Sequence, residues 1–136
     1  MDDGMDRQHE EVPVRRPLGA DPAGPGTGVP AIDGNDPRVV RFFGDRLEAV
    51  QAFATLLLDH GTDRGLIGPR EAPRLWERHI LNSAAVVPFL PRGAVADVGS
   101  GAGLPGLVIA AMEPERPITL IEPMERRVVW LKEAIA

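Results

Sequence analysis

Cysteine is absent from the 136 residues, and only one of the fifteen basic residues is a lysine. The first absence excludes a disulfide framework and any cysteine-ligated metal centre, and it fits a reducing compartment. No apolar run approaches the twenty or so residues that a membrane-spanning helix needs. The opening stretch, MDDGMDRQHE, is acidic and polar, the opposite of a secretory or mitochondrial leader. A cytoplasmic chain with no membrane partner is expected. The length bounds the chain to one domain.

The negative charge is also unevenly held. The chain carries a formal −5, and residues 1–36 account for all of it, with three arginines against eight acids. The remaining hundred residues are neutral, so a local basic patch on them remains compatible with a nucleic-acid partner. Residues 1–36 alternate prolines with glycines and hold few residues worth burying, so they read as a disordered tail. No internal repeat is visible.

A first helix is expected over roughly 37–59, capped by Asp36 with Pro37 in the first turn. Phe43, Leu47, Val50, Ala54 and Leu57 step by four and three along one stripe, widened by Phe42 and Phe53. Gly61 supplies a stop. After the turn-rich TDRGLIGP, a second helix is expected from about 72 to 87, with Trp76, Ile80, Ser83 and Val87 on one side. Arg70, Arg74 and Arg78 are spaced four apart and should share another face. They read either as a solvated face partnered by Glu71 and Glu77, or as a contact to a phosphate backbone.

Residues 94–98, AVADV, then read as a short buried strand. A glycine loop leads into a helix at about 104–112. ITLIE, at 118–122, is a second strand. A last amphipathic helix starts near Met124 with Val128, Leu131 and Ile135 on its apolar side. Strand, loop, helix, strand, helix is a unit of a parallel α/β sheet, and such sheets bind ligands at the carboxyl ends of their strands.

The loop itself is VADVGSGAGLPG, residues 95–106. It fits Gly101-x-Gly103-x-x-Gly106, a dinucleotide fingerprint. It equally fits Asp97-x-Gly99-x-Gly101-x-Gly103, the acid-and-glycine pattern of a loop for S-adenosylmethionine (SAM). Charge separates the two. A nicotinamide or flavin dinucleotide brings a pyrophosphate, which Asp97 would repel by roughly 1–4 kcal/mol at a few ångströms. SAM brings a sulfonium and an ammonium, which an acid favours. The glycines let the backbone approach the methionine portion without a Cβ in between. Glu122, 21 residues beyond Gly101, suits the two ribose hydroxyls of an adenosine ligand of either kind. Read without a ligand, it is an acid at a helix start, where the macrodipole favours it.

RHILNS (78–83), DVGSGAGLPG (97–106) and LIEPMERRVVWLKEA (120–134) together resemble the small-subunit ribosomal RNA guanine-N7 methyltransferases, the glucose-inhibited division protein B family. The resemblance covers about residues 38–136. It implies a class I SAM-methyltransferase fold, Rossmann-like, with residues 37–90 as an added helical part and 91–136 as the first half of the SAM-binding domain. Gly99, Gly101, Gly103 and Leu104 would line the cofactor, with Asp97 beside the methionine portion and Glu122 on the ribose. Arg78 and His79 match the family's Arg-His pair and would face the cofactor or the RNA. For His79 alone, a hydrogen-bonded core histidine is the competing reading. Arg70 and Arg74 join Arg78 as candidates for RNA backbone contacts.

In this chain RGLIGP stands where many relatives carry Asn-Leu-Thr. The resemblance further implies that strands, an adenine-binding segment and more basic contacts lie beyond residue 136. The implied partner is ribosomal RNA or the small ribosomal subunit, and a full-length chain is expected to be monomeric. Transfer to guanine N7 is a direct displacement. N7 carries no proton, so no general base is required and no catalytic residue is nominated. Two other readings remain: an inactive SAM- or adenosine-binding fragment, and an NAD-dependent oxidoreductase domain.

Overall fold

A computed structural model of the chain describes residues 31–136. The tail expected over residues 1–36 therefore lies mostly outside the described residues. Its last few run onto the body. Ile32 packs against the core, and the Gly34 carbonyl accepts from Gln51 Nε2 at 2.8 Å.

The expected first helix is divided. α1 spans Pro37–Phe43, a 3-10 turn spans Gly44–Arg46, and α2 spans Leu47–His60. Asp36 caps α1 by accepting from the Arg38 N–H at 2.9 Å. The break falls at Gly44, whose φ of 52° and ψ of −126° suit glycine alone. Propensity and stripe spacing carry across that point, so they concealed it. Val50, Phe53, Ala54 and Leu57 are buried as the stripe requires, but Phe42 is exposed. It packs edge-on against Phe43 rather than widening the core face.

The second expected helix is also irregular. A 3-10 turn at Ala72–Arg74 leads into a π-helical turn at Trp76–Ile80, then α3 at Leu81–Ala84 and a 3-10 turn at Val87–Phe89. Trp76, Ile80 and Ser83 are buried, and Val87 is half-buried. With the pitch changing inside the run, the four-residue spacing of Arg70, Arg74 and Arg78 no longer defines one helical face.

β1, Val95–Val98, pairs in parallel with β2, Ile118–Ile121, with Val95 opposite Ile118 and Asp97 opposite Leu120. α4, Gly106–Met112, connects them, and α5, Glu125–Ile135, follows β2. The result is a mixed α/β body with a small parallel sheet. Leu107, Val108 and Ile109 of α4 are buried, and α4 packs on α2 and α3. Trp130 and Leu131 of α5 complete the core.

β1 is not the buried strand expected from AVADV. Its side chains alternate, so Val95 and Asp97 turn inward while Ala96 and Val98 are exposed, Val98 at 77%. Thr119 and Ile121 are exposed likewise on β2. In α5, Val128 is half-buried and Leu131 buried, but Ile135 is exposed; Trp130 takes the inner position instead. Among the described residues no helix is long and apolar enough to cross a membrane.

Candidate functional site

The loop between β1 and α4 is built from both strand ends. Gly99 N and Ser100 N both donate to the Ile121 carbonyl, at 2.7 and 3.1 Å. The buried Ser100 hydroxyl donates to Asp97 O at 2.8 Å and accepts from Ile121 N at 3.1 Å. The loop therefore follows the register of the sheet. Gly99, Gly101 and Gly103 take φ of 79°, 55° and 97°. A tight turn within the loop is closed by Gly103 N donating to Ser100 O at 2.7 Å.

Asp97 and Glu122 are drawn into this loop from the two strands. Asp97 Oδ2 accepts from Gly106 N at 3.1 Å, at the first residue of α4. A Cβ on Gly106 would stand 2.6 Å from that oxygen. Only glycine therefore lets the helix start approach the strand-end acid this closely. The carboxylate thus sits at the start of a helix, a favourable position for negative charge.

Glu122 follows β2 directly. Its Oε2 accepts from Gly101 N at 2.8 Å and its Oε1 from Met124 N at 2.9 Å. The side chain is 2% exposed, and Arg127 Nη1 lies 3.9 Å from Oε2. The Met124 and Gly101 N–H groups hold the carboxyl below its ordinary range; burial opposes them and Arg127 assists. Glu122 is thus an anion at neutral pH with its oxygens at the edge of the glycine loop. Each oxygen retains acceptor capacity after one backbone bond. The helix-start reading holds as well, because the Met124 N–H lies at the beginning of α5.

Two residues inside the 120–134 motif, to which spacing gave no role, also reach the loop. Arg127 lies in the first turn of α5 and reaches the rim of Gly101. Trp130 donates its indole N–H to Ala102 O at 2.9 Å. Neither contact has a local sequence signal, since the partners are far apart in the chain.

The basic candidates are arranged differently from one another. Arg70, Arg74 and Arg78 are all exposed. Arg74 pairs with Glu77 at 3.0 Å, while Arg70 and Arg78 form no ion pair among the described residues. Glu71 is engaged elsewhere: it accepts from Gly68 N at 3.1 Å and faces His79 Nε2 at 3.4 Å. His79 Nε2 is itself buried and makes no hydrogen bond among the described residues. A cavity of about 420 Å³ lies at the amino ends of the strands, lined by Arg46, Arg92, Glu113 and Arg116 among others, and takes no part in the loop.

The family model described as rRNA small subunit methyltransferase G, GidB, matches residues 46–136. The chain belongs to the GidB family. A ribosomal RNA small subunit methyltransferase G of Leifsonia xyli is 59% identical over 96 residues, 71% of this chain and 46% of that protein. One from Beutenbergia cavernae is 61% identical over 94 residues, 68% of this chain and 44% of the relative. One from Clavibacter michiganensis is 50% identical over 107 residues, 79% and 48%. The chain spans about half the length of the relatives it matches. The GidB match includes the whole loop, Glu122 and the Arg78-His79 pair.

Proposed function

We propose that this chain carries the SAM-binding loop of an enzyme that methylates guanine N7 in small-subunit ribosomal RNA. One observation carries the cofactor reading: the Glu122 carboxylate meets the Gly101 N–H at 2.8 Å. An acid fit for a ribose and a glycine loop fit for a methionyl chain thereby form one rim at the carboxyl ends of two parallel strands. The substrate reading rests on the names of the GidB relatives. The same order of elements supports a class I, Rossmann-like fold. Residues 37–90 would form its helical part and residues 91–136 the first half of the cofactor domain. An RNA substrate puts the work in the cytoplasm.

SAM, when bound, supplies an electrophilic methyl on a sulfonium. The residues of this chain bind and orient. Glu122 accepts from the ribose hydroxyls. Gly99, Gly101, Gly103 and Leu104 line the loop without bulk at its rim. Asp97 contributes negative charge near the methionine portion and holds the start of α4. Arg70, Arg78 and His79, with Arg74 once released from its exposed pair with Glu77, contact RNA. An exposed pair of that kind is worth little and yields readily. Rate enhancement comes from holding two reactants in line, with no general base.

Calorimetric titration with S-adenosylhomocysteine, with NADH as control, tests the cofactor reading. Saturable binding of the first alone is expected; binding of NADH alone would overturn it. Methyl transfer to small-subunit RNA, mapped to the modified nucleotide, tests the substrate.

A further inference from the structure

Spacing gives Arg64 and Trp130 no role, yet Trp130 reaches the glycine loop and Arg64 packs on Trp130. Trp130 is 1% exposed, and a buried indole N–H has to find an acceptor. It finds the Ala102 carbonyl at 2.9 Å. Ala102 stands between Gly101 and Gly103, both at positive φ, so the peptides on either side of it have the freedom that glycine allows. The N–H of the Ala102–Gly103 peptide is bonded within the loop, to Ser100 O. Its carbonyl bond to Trp130 anchors that peptide to something outside the loop. The neighbouring Gly101 N–H is the one that Glu122 accepts.

The indole is held in turn. Arg64 Cζ lies 5.5 Å from the Trp130 ring centroid, within cation–π range. Its Nη1 is 2.6 Å from Glu133 Oε2, three residues further along α5. Arg64 itself stands on a bonded turn after α2: Arg64 N donates to His60 O and Leu66 N to Gly61 O, and Ile67 is buried beneath it. A continuous line of contacts thus runs from the end of α2 through Arg64 and Trp130 to the Ala102 peptide.

We propose that Trp130 and Arg64 are positioning residues for the cofactor loop. Trp130 sets the Ala102–Gly103 peptide, and Arg64 clamps the indole. The helical part thereby controls the loop geometry on which Glu122 depends. The proposal rests on the reading of this loop as the SAM site.

The test uses the full chain with Trp130→Phe, which keeps most of the ring volume and removes the N–H, and with Arg64→Met and Arg64→Lys. Amide hydrogen exchange over residues 99–104 is measured without ligand, alongside S-adenosylhomocysteine affinity and thermal unfolding. Trp130→Phe is expected to speed loop exchange selectively and to weaken S-adenosylhomocysteine about fivefold, the worth of one neutral hydrogen bond. Arg64→Met should act in the same direction by about two- to threefold, and Arg64→Lys should restore most of it. A lowered thermal midpoint with loop exchange and affinity unchanged would overturn the proposal. If Trp130→Phe fails to fold, Arg64→Met at its half-exposed position decides. If the unsubstituted chain does not bind S-adenosylhomocysteine, the cofactor reading fails, and loop exchange alone confirms or refutes the Trp130 anchor.

Discussion

Glu122 closes the glycine loop by accepting from the Gly101 and Met124 N–H groups. Glu122→Gln retains the shape but loses the charge, and one of its two positions becomes a donor facing a backbone N–H. S-adenosylhomocysteine affinity is expected to fall at least about tenfold, by calorimetry at pH 7. The pH dependence follows from the lowered carboxyl. The stabilisation it contributes is complete above the ordinary carboxylate range, about 4.3. It is lost as pH falls through the lower, folded value. Amide resonances of Gly101 and Met124 are expected to move below that range in an acid titration, and in Glu122→Gln to be insensitive to it. Asp97 was legible as an acid at the strand end; that it binds the first N–H of α4 was not, because that contact depends on how closely Gly106 approaches.

At the level of the element, α1 and α2 show where local pattern runs out. The apolar stripe from Phe43 to Leu57 runs across Gly44 in the sequence, although the backbone breaks the helix there. Gly44→Ala meets no neighbour, so its cost is backbone strain alone, about 1–3 kcal/mol by chemical denaturation. Asp36 starts α1, and the Arg38 side chain and backbone N–H hold its carboxyl at about 2. Its contribution is present above about 3.9 and lost as pH falls towards 2. Asp36→Ala is therefore expected to lower the thermal midpoint at pH 7 and to have little effect near pH 2. Apolar spacing predicts one helix from about 72 to 87. Trp76 and Ile80, four apart, are both buried as that spacing requires, while the run itself changes pitch at the π turn Trp76–Ile80.

At the scale of the whole molecule, the sheet is covered on one side among the described residues. α4 packs on β2 and on the helices α2 and α3, while Ala96, Val98, Thr119 and Ile121 face outward. Exposed apolar surface of this kind binds hydrophobic dyes. The 136-residue chain is expected to enhance 1-anilinonaphthalene-8-sulfonate fluorescence, and Val98→Lys to reduce that signal. An unchanged signal would place the dye elsewhere.

The sequence by itself determined the order of the elements, the position of the glycine loop and the acid at the end of the second strand. Those follow from turn chemistry, apolar periodicity and the fixed geometry of parallel strands, which operate over short stretches. It also contained, in three linked motifs, enough to indicate the family. Tertiary structure decided which side of β1 is covered, where the first two helices change pitch, and that Trp130 rather than Ile135 turns inward on α5. Each of these depends on a neighbour distant in the chain: β1 on α4, Trp76 on Phe43, and Trp130 on both Arg64 and Ala102. Burial of a side chain is settled by what packs against it, and local spacing carries no record of that partner.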